Sequence, residues 1–325
     1  MCTPVCYDMD LVTLKDIQEA RERIKGQVKY TPVLQCSEAD RLTGRQVYFK
    51  AEHLQSTGAF KIRGALNAVA LLKSRSDKEG VKHPGVVTHS SGNHGQALAR
   101  AASVVGLPCT IIVPKGTPAC KMDAIKRFGA ELIECYPSPS GRIEAMQKVC
   151  KETGKVYISS CDDPDIIAGQ GTIGLELLEQ VPDVDAILVA MSGGGLASGI
   201  GVAIKALRPS CRVYLVTPLG KMMEQCLRSG EREWPNPPQF LDTIAEGIKL
   251  QQAGHNAFKI LQEVAEKEVF EIQVIEAAAG AAVAALFTDK MASLPADIKK
   301  VGVIVCGGNV DITNLPWYDS FSKGY

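Results

Sequence analysis

The feature that most constrains the fold is a regular alternation between short apolar runs and segments with helical spacing. Residues 186–190, 213–216 and 301–305 are nearly continuous apolar runs, as expected for parallel strands covered on both faces. The other predicted strands are shorter, at residues 47–50, 85–88, 110–113, 131–134 and 156–158. Because helical segments follow most of these runs, the sequence predicts an α/β fold around a parallel sheet. The Pro-rich segment 234–238 is predicted to be a surface loop.

The amino-acid composition argues against several classes of protein. The 325 residues carry 36 Lys and Arg against 36 Asp and Glu, so the formal net charge is zero. Nucleic acid is not an expected partner, because phosphate binding needs clustered cations. No apolar run reaches the roughly 20 residues of a membrane-spanning helix, and residues 1–10 lack the basic and apolar regions of a secretory signal. The sequence therefore predicts a cytoplasmic protein without a membrane partner.

The number and spacing of the cysteines also agree with a cytoplasmic protein. There are 11, with no Cys-x-x-Cys pair and no His at zinc-binding spacing. Several lie in apolar runs, where free thiols behave as small apolar side chains in a reducing environment. The sequence therefore predicts free thiols rather than a disulfide framework.

A glycine-rich loop, Ser192-Gly-Gly-Gly-Leu196, joins the apolar run 186–190 to a predicted helix over 197–207. Consecutive amides at a helix N-terminus bind anions. The dinucleotide fingerprint is not met, because Ser198 stands where its last Gly is required, and the chain has no Gly-Lys-Ser/Thr triplet. A tight turn is the structural alternative. The functional interpretation is a monophosphate site, which indicates a phosphorylated cofactor.

Three further clusters carry reactive or polar groups. Lys61 lies at a predicted helix start, where the helix dipole lowers the pKa of an amine and favours its nucleophilic form; the alternative is a solvated lysine. Residues 90–95, Ser-Ser-Gly-Asn-His-Gly, offer amides and hydroxyls to a carboxylate, or simply cap a helix. Residues 306–311, Cys-Gly-Gly-Asn-Val-Asp, directly follow the last apolar run. The structural alternative for this cluster is a turn that ends the strand.

Together and in this order, the four clusters resemble the fold-type II enzymes of pyridoxal 5′-phosphate (PLP), in particular the serine racemase and serine/threonine ammonia-lyase (dehydratase) family. The resemblance covers residues 31–311, and within the family the eukaryotic serine racemases are most similar. Its most specific motifs are Ser56-Thr-Gly-Ala-Phe-Lys-Ile-Arg-Gly-Ala65 and Thr88-His-Ser-Ser-Gly-Asn-His-Gly-Gln-Ala97. Residues 167–172 and 243–248 also match. The implied fold is tryptophan synthase β-like.

The resemblance implies two catalytic residues. Lys61 would form the Schiff base with PLP and act as the base on one face of the substrate Cα. Ser91 would be the acid/base on the opposite face. Two groups on opposite faces are what a racemase requires, since one removes the proton and the other returns it.

The resemblance also implies the binding residues. Phe60 and Gly247 would flank the PLP ring, and Cys306 would face the pyridine nitrogen; a neutral partner there favours β-elimination over a long-lived carbanion. The loop Ser192, Gly193, Gly194, Gly195 and Leu196 would bind the phosphate. The substrate carboxylate would be held by Ser90, Ser91, Gly92, Asn93 and His94, with Asn93 also reaching the PLP phenolic oxygen.

Two departures from the family affect the predictions. Serine racemases bind a divalent cation with a Glu after the strand that corresponds to 213–216 and an Asp shortly after it, but Thr217 and Met223 stand at those positions here. Thr and Met are a poor donor set for a hard cation, so no divalent cation is predicted. Lys221 is a candidate for a tethered cation in its place, the alternative being a solvated surface lysine.

The substrate side differs as well. Leu250 replaces a carboxylate-contacting Ser, and Cys161 takes a position that often lines the pocket. Arg142 matches an arginine near the substrate face and is a candidate for binding an acidic or polar side chain.

The predicted architecture is a large PLP domain from residues 1–76 and 155–325, and a smaller mobile α/β domain from residues 77–154 that closes over the cofactor. A homodimer is the family expectation. The predicted function is racemisation, α,β-elimination to a 2-oxo acid and ammonia, or both, on serine or a related small β-hydroxy amino acid. The alternatives are the same chemistry on aspartate, 3-hydroxyaspartate or a bulkier β-substituted amino acid, and a non-catalytic PLP-binding regulatory protein. The sequence leaves the nucleotide effector and the ratio of racemisation to elimination open.

Overall fold

Ten strands form two separate sheets in the computed structural model, which describes residues 12–235, 239–243, 245–272 and 278–309. The strands are β1 (Val33–Gln35), β2 (Gln46–Lys50), β3 (Val86–His89), β4 (Cys109–Pro114), β5 (Glu131–Cys135), β6 (Val156–Tyr157), β7 (Ala186–Ala190), β8 (Arg212–Pro218), β9 (Val269–Ile272) and β10 (Lys300–Ile304). The larger sheet has the order β1-β2-β10-β7-β8-β9, and the smaller sheet has the order β5-β4-β3-β6.

Helices cover these sheets and carry the functional loops at their N-termini. They are α1 (Leu14–Ile24), α2 (Ser37–Thr43), α3 (Ile62–Glu79), α4 (Asn93–Val105), α5 (Ala119–Lys126), α6 (Pro139–Thr153), α7 (Pro164–Gln180), α8 (Gly195–Leu207), α9 (Met223–Ser229), α10 (His255–Val264), α11 (Ala278–Ala284) and α12 (Asp289–Ala292). Within the described ranges, none of the helices is long and apolar enough to cross a bilayer.

The predicted strands are all present, with bounds that differ by one or two residues, and the α/β class is confirmed. Every pair of neighbouring strands is parallel except β1 and β2, which are antiparallel. The sequence analysis missed β1 and β9. β1 has three residues, none of them fully buried, so it is too short to produce a periodic pattern.

The long apolar runs are buried on both faces of the larger sheet. Along β7, Ile187 and Val189 pack into one core with α1, α7, α8 and α10. The alternate residues Leu188 and Ala190 pack into a second core with α11. Since the side chains of a strand alternate between faces, this arrangement requires an apolar residue at every position, as the sequence has.

The prediction of a surface loop at residues 234–238 is wrong for Trp234. Its side chain is only 9% exposed, and its ring packs edge-on against Phe258 with a centroid distance of 5.7 Å. The indole Nε1 donates a hydrogen bond to the carbonyl of Lys221 at 2.7 Å. The indole thus buries its apolar area while its N–H keeps an acceptor. Residues 236–238 lie outside the described residues.

Candidate active site

Lys61 lies immediately before α3, on the loop that follows β2. Its Nζ donates a hydrogen bond to the carbonyl of Ser160 at 2.5 Å and lies 4.9 Å from the centroid of the Phe60 ring. Burial lowers the pKa of the Lys61 amine, and the neighbouring thiols Cys161 and Cys306 oppose that shift. Burial thus shifts the pKa in the same direction as the sequence predicted from the helix dipole. Either way, the neutral nucleophilic amine is favoured.

The segment after β10 pairs with the segment that carries Lys61. The amide of Phe60 donates to the carbonyl of Cys306 at 3.1 Å, and the amide of Gly308 donates to the carbonyl of Gly58 at 2.9 Å. The side chain of Cys306 is 7% exposed, and burial raises the pKa of its thiol to about 11. Cys306 therefore stays a neutral S–H group, a weak hydrogen-bond donor, next to the Lys61 amine.

Asn309 connects this pair of segments to the start of α4. Its Nδ2 donates to the carbonyl of Thr57 at 2.7 Å and to the Oδ1 of Asn93 at 2.9 Å. Asn309 had no role predicted from the sequence, although it lies in the glycine-rich motif of residues 306–311. Three of the four sequence clusters thus meet at one place.

The Ser90–Gly95 cluster forms the turn between β3 and α4. The amide of Ser90 is tied to the carbonyl of Ile112 at 3.0 Å, and the Ser90 Oγ accepts from the amide of Gly92 at 3.3 Å. Ser91 and Asn93 are half-buried. Because α4 begins at Asn93, the first amides of this helix have no intrahelical acceptor and can bind an anion.

His94 differs from its neighbours, because its ring lies inside the protein. The side chain is 3% exposed, and its Nε2 is 3.3 Å from the carbonyl of Ile158. Burial, with a smaller contribution from the charge of Lys61, lowers the pKa of His94 to about 3. The ring is therefore neutral, and the backbone amide is the group of this residue that is suited to an incoming carboxylate.

The glycine-rich loop follows β7 and leads directly into α8. Gly194 has φ +102°, a conformation that favours glycine. A Cβ on Gly193 would overlap the Sγ of Cys161, and a Cβ on Gly195 would overlap the Cys161 carbonyl oxygen. The loop is therefore packed tightly against Cys161, with its amides at a helix N-terminus. Ser192 is half-buried, and Leu196 is buried at the first turn of α8.

Residues 159–163 form a second loop, which contacts both Lys61 and the glycine-rich loop. The carboxylate of Asp162 accepts two backbone N–H groups at the start of α10, at 2.8 and 2.9 Å. Asp163 caps α7 in the same way. Two helix N-termini thus hold this loop. The sequence signal was the Asp-Asp-Pro triplet, in which the second Asp and the Pro are typical of a helix start.

Arg142 lies near the beginning of α6, close to His89 at the end of β3. Burial lowers the pKa of His89, and the charge of Arg142 lowers it further. The guanidinium is 5.5 Å from the centroid of the Phe240 ring, and its buried Nε has no hydrogen-bond partner among the described residues. No described carboxylate forms an ion pair with it. Arg142 is thus a cation without a described anion, and its charge acts on His89, the residue that directly precedes the Ser90 turn.

Gly247 lies in a 3-10 turn, Glu246–Ile248, just before Leu250. The side chain of Leu250 faces the glycine-rich loop, with its Cδ2 3.7 Å from the position that a Cβ on Gly193 would take. The carboxylate-contacting Ser of the family is therefore replaced by an apolar group beside the predicted phosphate site.

The positions of the family's cation ligands do not suit a divalent cation. The hydroxyl of Thr217 is buried without a described partner, and Met223 is fully buried. The Nζ of Lys221 donates to the carbonyls of Leu250 and Gln251 at 2.6 and 3.0 Å. No group of three His, Cys, Asp or Glu residues in the described ranges is arranged to hold a metal.

These groups define an enzyme site for a phosphorylated aldehyde cofactor on an α/β scaffold. The Lys61 amine, whose pKa is lowered by burial, and the glycine-rich helix N-terminus both lie against the loop that contains Cys161, and a neutral thiol lies beside the amine. This donor set fits PLP, which needs an amine for its aldehyde, amides for its phosphate and a partner for its ring nitrogen. The chain belongs to the family of pyridoxal-phosphate dependent enzymes, which matches residues 24–307.

Its relatives narrow the class further. The chain is 39% identical to serine racemase of Mus musculus, over 98% of this chain and 96% of that protein. The structure of a PLP-dependent aspartate racemase is similar with a TM-score of 0.90 and 51% identity, covering 94% of this chain and 98% of that one. Maize serine racemase gives a TM-score of 0.87 at 34% identity, with coverages of 96% and 98%.

These findings confirm the resemblance to fold-type II PLP enzymes and the corresponding fold. The chain is a PLP-dependent enzyme of the class that racemises small amino acids or eliminates their β-substituents.

Proposed function

We propose that the chain racemises a small amino acid by a two-base mechanism, with Lys61 and Ser91 on opposite faces of the substrate Cα. PLP, when bound, withdraws electrons from Cα and so makes its proton acidic. Lys61 would hold the cofactor through its amine, and the same amine would remove the proton from the L-enantiomer. Ser91 exchanges a proton on the other face. Where the substrate carries a β-hydroxyl, the same proton abstraction leads to elimination.

The remaining roles follow the contacts described above. Residues 192–196 bind the phosphate with the first amides of α8. From the family resemblance, Phe60 and Gly247 would flank the ring, and the Cys306 S–H would face its nitrogen. The substrate carboxylate is held by the Ser90 turn, in which Gly92 and the backbone amide of His94 supply donors, and the Asn93 side chain also reaches the phenolic oxygen.

Between the candidate substrates, the site favours an acidic one. The observation that carries this is Arg142, a partly buried guanidinium near the Ser90 turn without a described carboxylate partner. Guanidinium groups bind carboxylates through paired, charge-assisted hydrogen bonds. The relative at 51% identity is an aspartate racemase. We therefore place aspartate ahead of serine, with 3-hydroxyaspartate as the substrate that combines both features.

The test is proton NMR of the PLP-loaded enzyme in D₂O, with L-aspartate and L-serine in separate tubes. We expect loss of the α-proton signal from aspartate, and a slower loss from serine with some pyruvate. Arg142→Met should lower the aspartate rate at least about 30-fold, since a charged hydrogen-bonded pair contributes about 2 kcal/mol or more. The serine rate should change less than threefold. Equal loss on both substrates would contradict the role of Arg142, and exchange of serine alone would restore serine as the substrate.

We also propose that the enzyme works without a divalent cation. Support comes from the residues at the expected ligand positions, Thr217 and Met223, and from the Lys221 ammonium close by, since cations exclude one another at short range. Turnover should be unchanged by a chelator and by added Mg²⁺. Activation by Mg²⁺ that the chelator reverses would refute this proposal.

We also propose a mobile small domain, a homodimer and a cytoplasmic location. The Ser90 turn belongs to the four-stranded sheet, whereas Lys61 and the glycine-rich loop belong to the six-stranded part, so closure of a small domain over residues 77–154 would complete the site. β6 pairs with β3 two residues beyond that boundary. Light scattering would test the homodimer. The described residues include seven free thiols, Cys36, Cys109, Cys135, Cys161, Cys211, Cys226 and Cys306, which supports a reducing compartment such as the cytoplasm.

A further inference from the structure

Lys221 stands apart from the other large cationic side chains inside the protein. Arg63, Lys50 and Lys221 are the three largest fully buried side chains among the described residues. Arg63 and Lys50 pair with the carboxylates of Glu52 and Glu176. Lys221 pairs with no described carboxylate, and its Nζ instead donates to two backbone carbonyls. A buried amine without an anion is costly, so its retention calls for a positive role.

The two carbonyls belong to a segment that leads to the glycine-rich loop. Leu250 and Gln251 accept from Lys221 at 2.6 and 3.0 Å, and four residues later the amide of Gly254 donates to the carbonyl of Gly193 at 2.9 Å. The Leu250 side chain also faces Gly193. Residues 250–254 are therefore fixed at one end by Lys221 and contact the phosphate-binding loop at the other.

The backbone around Lys221 is also held in place by contacts on both sides of this residue. Its amide donates to the carbonyl of Pro218 at 3.4 Å, and its own carbonyl accepts from the buried indole of Trp234. The next residue, Met222, has φ +57°, and no other non-glycine residue in the described ranges has a positive φ. A bulky side chain is held in this conformation only where surrounding contacts require it. Burial lowers the pKa of Lys221 to about 7, so the cationic form of this amine prevails below neutral pH, and the proposal concerns that form.

We propose that Lys221 is a built-in cation that fixes residues 250–251 and thereby positions the phosphate loop for PLP. Lys221 is in this sense a positioning residue rather than a catalytic one. It supplies from the chain a positive group that would otherwise have to come from solution. Removal of its side chain leaves a cavity with two carbonyl oxygens directed into it, which suits a small monovalent cation or a primary ammonium ion.

The test measures PLP binding, which does not depend on the identity of the substrate. A negative result would therefore refute the role of Lys221 without bearing on the proposed substrate. Lys221→Ala apoprotein is titrated with PLP in tetramethylammonium chloride, whose cation is too bulky for the cavity. We expect the dissociation constant of PLP to rise about tenfold or more. Added K⁺ or ethylammonium should restore tight binding saturably. Lys259→Ala, which removes an exposed lysine of α10, should bind PLP as the unchanged chain does in every salt.

Two results would overturn the proposal: tight PLP binding by Lys221→Ala in tetramethylammonium chloride, or weak binding that no small cation restores. A second measurement needs no variant. The unchanged protein, treated with a chelator, should bind PLP equally well in tetramethylammonium, Na⁺ and K⁺ salts, because its cation is covalently attached. A dependence on the salt cation would show that the site takes an ion from solution and that Lys221 does not replace it.

Discussion

The Nδ2 of Asn309 donates a hydrogen bond to the Oδ1 of Asn93 at 2.9 Å. This contact joins the segment after β10 to the first residue of α4. With its oxygen occupied, the Asn93 side chain turns its own N–H groups toward other acceptors, and an amide in that orientation suits the carboxylate and phenolic oxygens assigned to it. Asn309 therefore fixes the orientation of a predicted substrate-binding residue without a predicted contact to substrate.

Replacement of Asn309 should weaken substrate binding more than turnover. Asn309→Ala removes two side-chain hydrogen bonds, to the Thr57 carbonyl and to the Asn93 Oδ1. The bond to Asn93 is the one that bears on substrate binding, and because a hydrogen bond contributes about 0.5–1.5 kcal/mol, we expect KM to rise about two- to tenfold with kcat changed less than twofold. Steady-state kinetics on the proposed substrate measures both. Asn309→Asp keeps the size of the side chain but places an acceptor-only carboxylate against the oxygens of Thr57 and Asn93, so KM should rise at least as much as in the Ala variant. An unchanged KM in both variants would contradict the argument.

The glycine-rich loop allows a sharper test, because its two outer glycines meet different atoms of one residue. Gly193→Ala brings a methyl group against the side chain of Cys161, whereas Gly195→Ala brings one against the Cys161 backbone carbonyl. Overlaps of this kind force backbone shifts that cost about 1–3 kcal/mol. We expect each variant to bind PLP about 5- to 100-fold more weakly, as measured by titration of the apoprotein.

A second substitution, at Cys161, distinguishes the effects of the two glycine variants on PLP affinity. Cys161→Gly removes the side chain that obstructs the methyl group at position 193, so Gly193→Ala with Cys161→Gly should regain most of the PLP affinity relative to Cys161→Gly alone. The same combination with Gly195→Ala should regain none, because the carbonyl oxygen remains. Equal recovery in both double variants would mean that the loop does not pack as described.

The buried ion network near Lys61 should dominate stability. Arg63 pairs with Glu52 at 2.7 Å and with Glu176 at 2.6 Å, and all three side chains are at most 7% exposed. Arg63→Met leaves the buried carboxylate of Glu52 without a cation, whereas Glu176 keeps its pair with Lys50; breaking a buried pair in this way costs about 3–5 kcal/mol. Urea unfolding followed by circular dichroism measures this loss. The matched control is Arg21→Met, which breaks the exposed pair with Glu179 and should cost at most about 1 kcal/mol.

The sequence predicted most of the fold, and the glycine-rich loops that carry the candidate site, for a physical reason. Parallel strands buried on both faces leave continuous apolar runs, and close approach of backbone to ligand requires glycine, so both appear in a single sequence. Contacts between segments that are distant along the chain leave no such pattern in the sequence. Trp234 was predicted to be exposed because its neighbours are prolines, and the buried state of Lys221 depends on residues 250–251, which no local pattern connects to it.

His94 should make the protein less stable as the pH falls. Burial lowers its pKa to about 3, whereas the unfolded chain binds this proton with a pKa near 6.5. Between these values the unfolded state holds one more proton, so the free energy of unfolding decreases as the pH is lowered. From pH 7 to pH 5 the loss amounts to about 2 kcal/mol.

His94→Gln should abolish that component of the pH dependence. The difference in unfolding free energy between the variant and the unchanged protein should therefore shift by about 2 kcal/mol in favour of the variant from pH 7 to pH 5. Burial raises the pKa of Asp163 to about 6, which has the opposite effect on stability, but it is common to both proteins and cancels. His255→Gln, at an exposed histidine, is the control. A constant difference across this range would contradict a buried neutral ring.

The two-base scheme makes the most direct prediction on the reaction itself. Lys61→Ala should abolish racemisation and elimination alike, because the proton of the L-enantiomer has no acceptor. Ser91→Ala leaves Lys61 in place, so the L-enantiomer should still exchange its α-proton with D₂O at a rate within about tenfold of the unchanged enzyme, while exchange from the D-enantiomer and racemisation fall at least about 100-fold. Ser90→Ala, on the same turn, is the control and should affect both enantiomers equally. Equal losses for both enantiomers in Ser91→Ala would mean that one residue serves both faces, and would refute the assignment of Ser91.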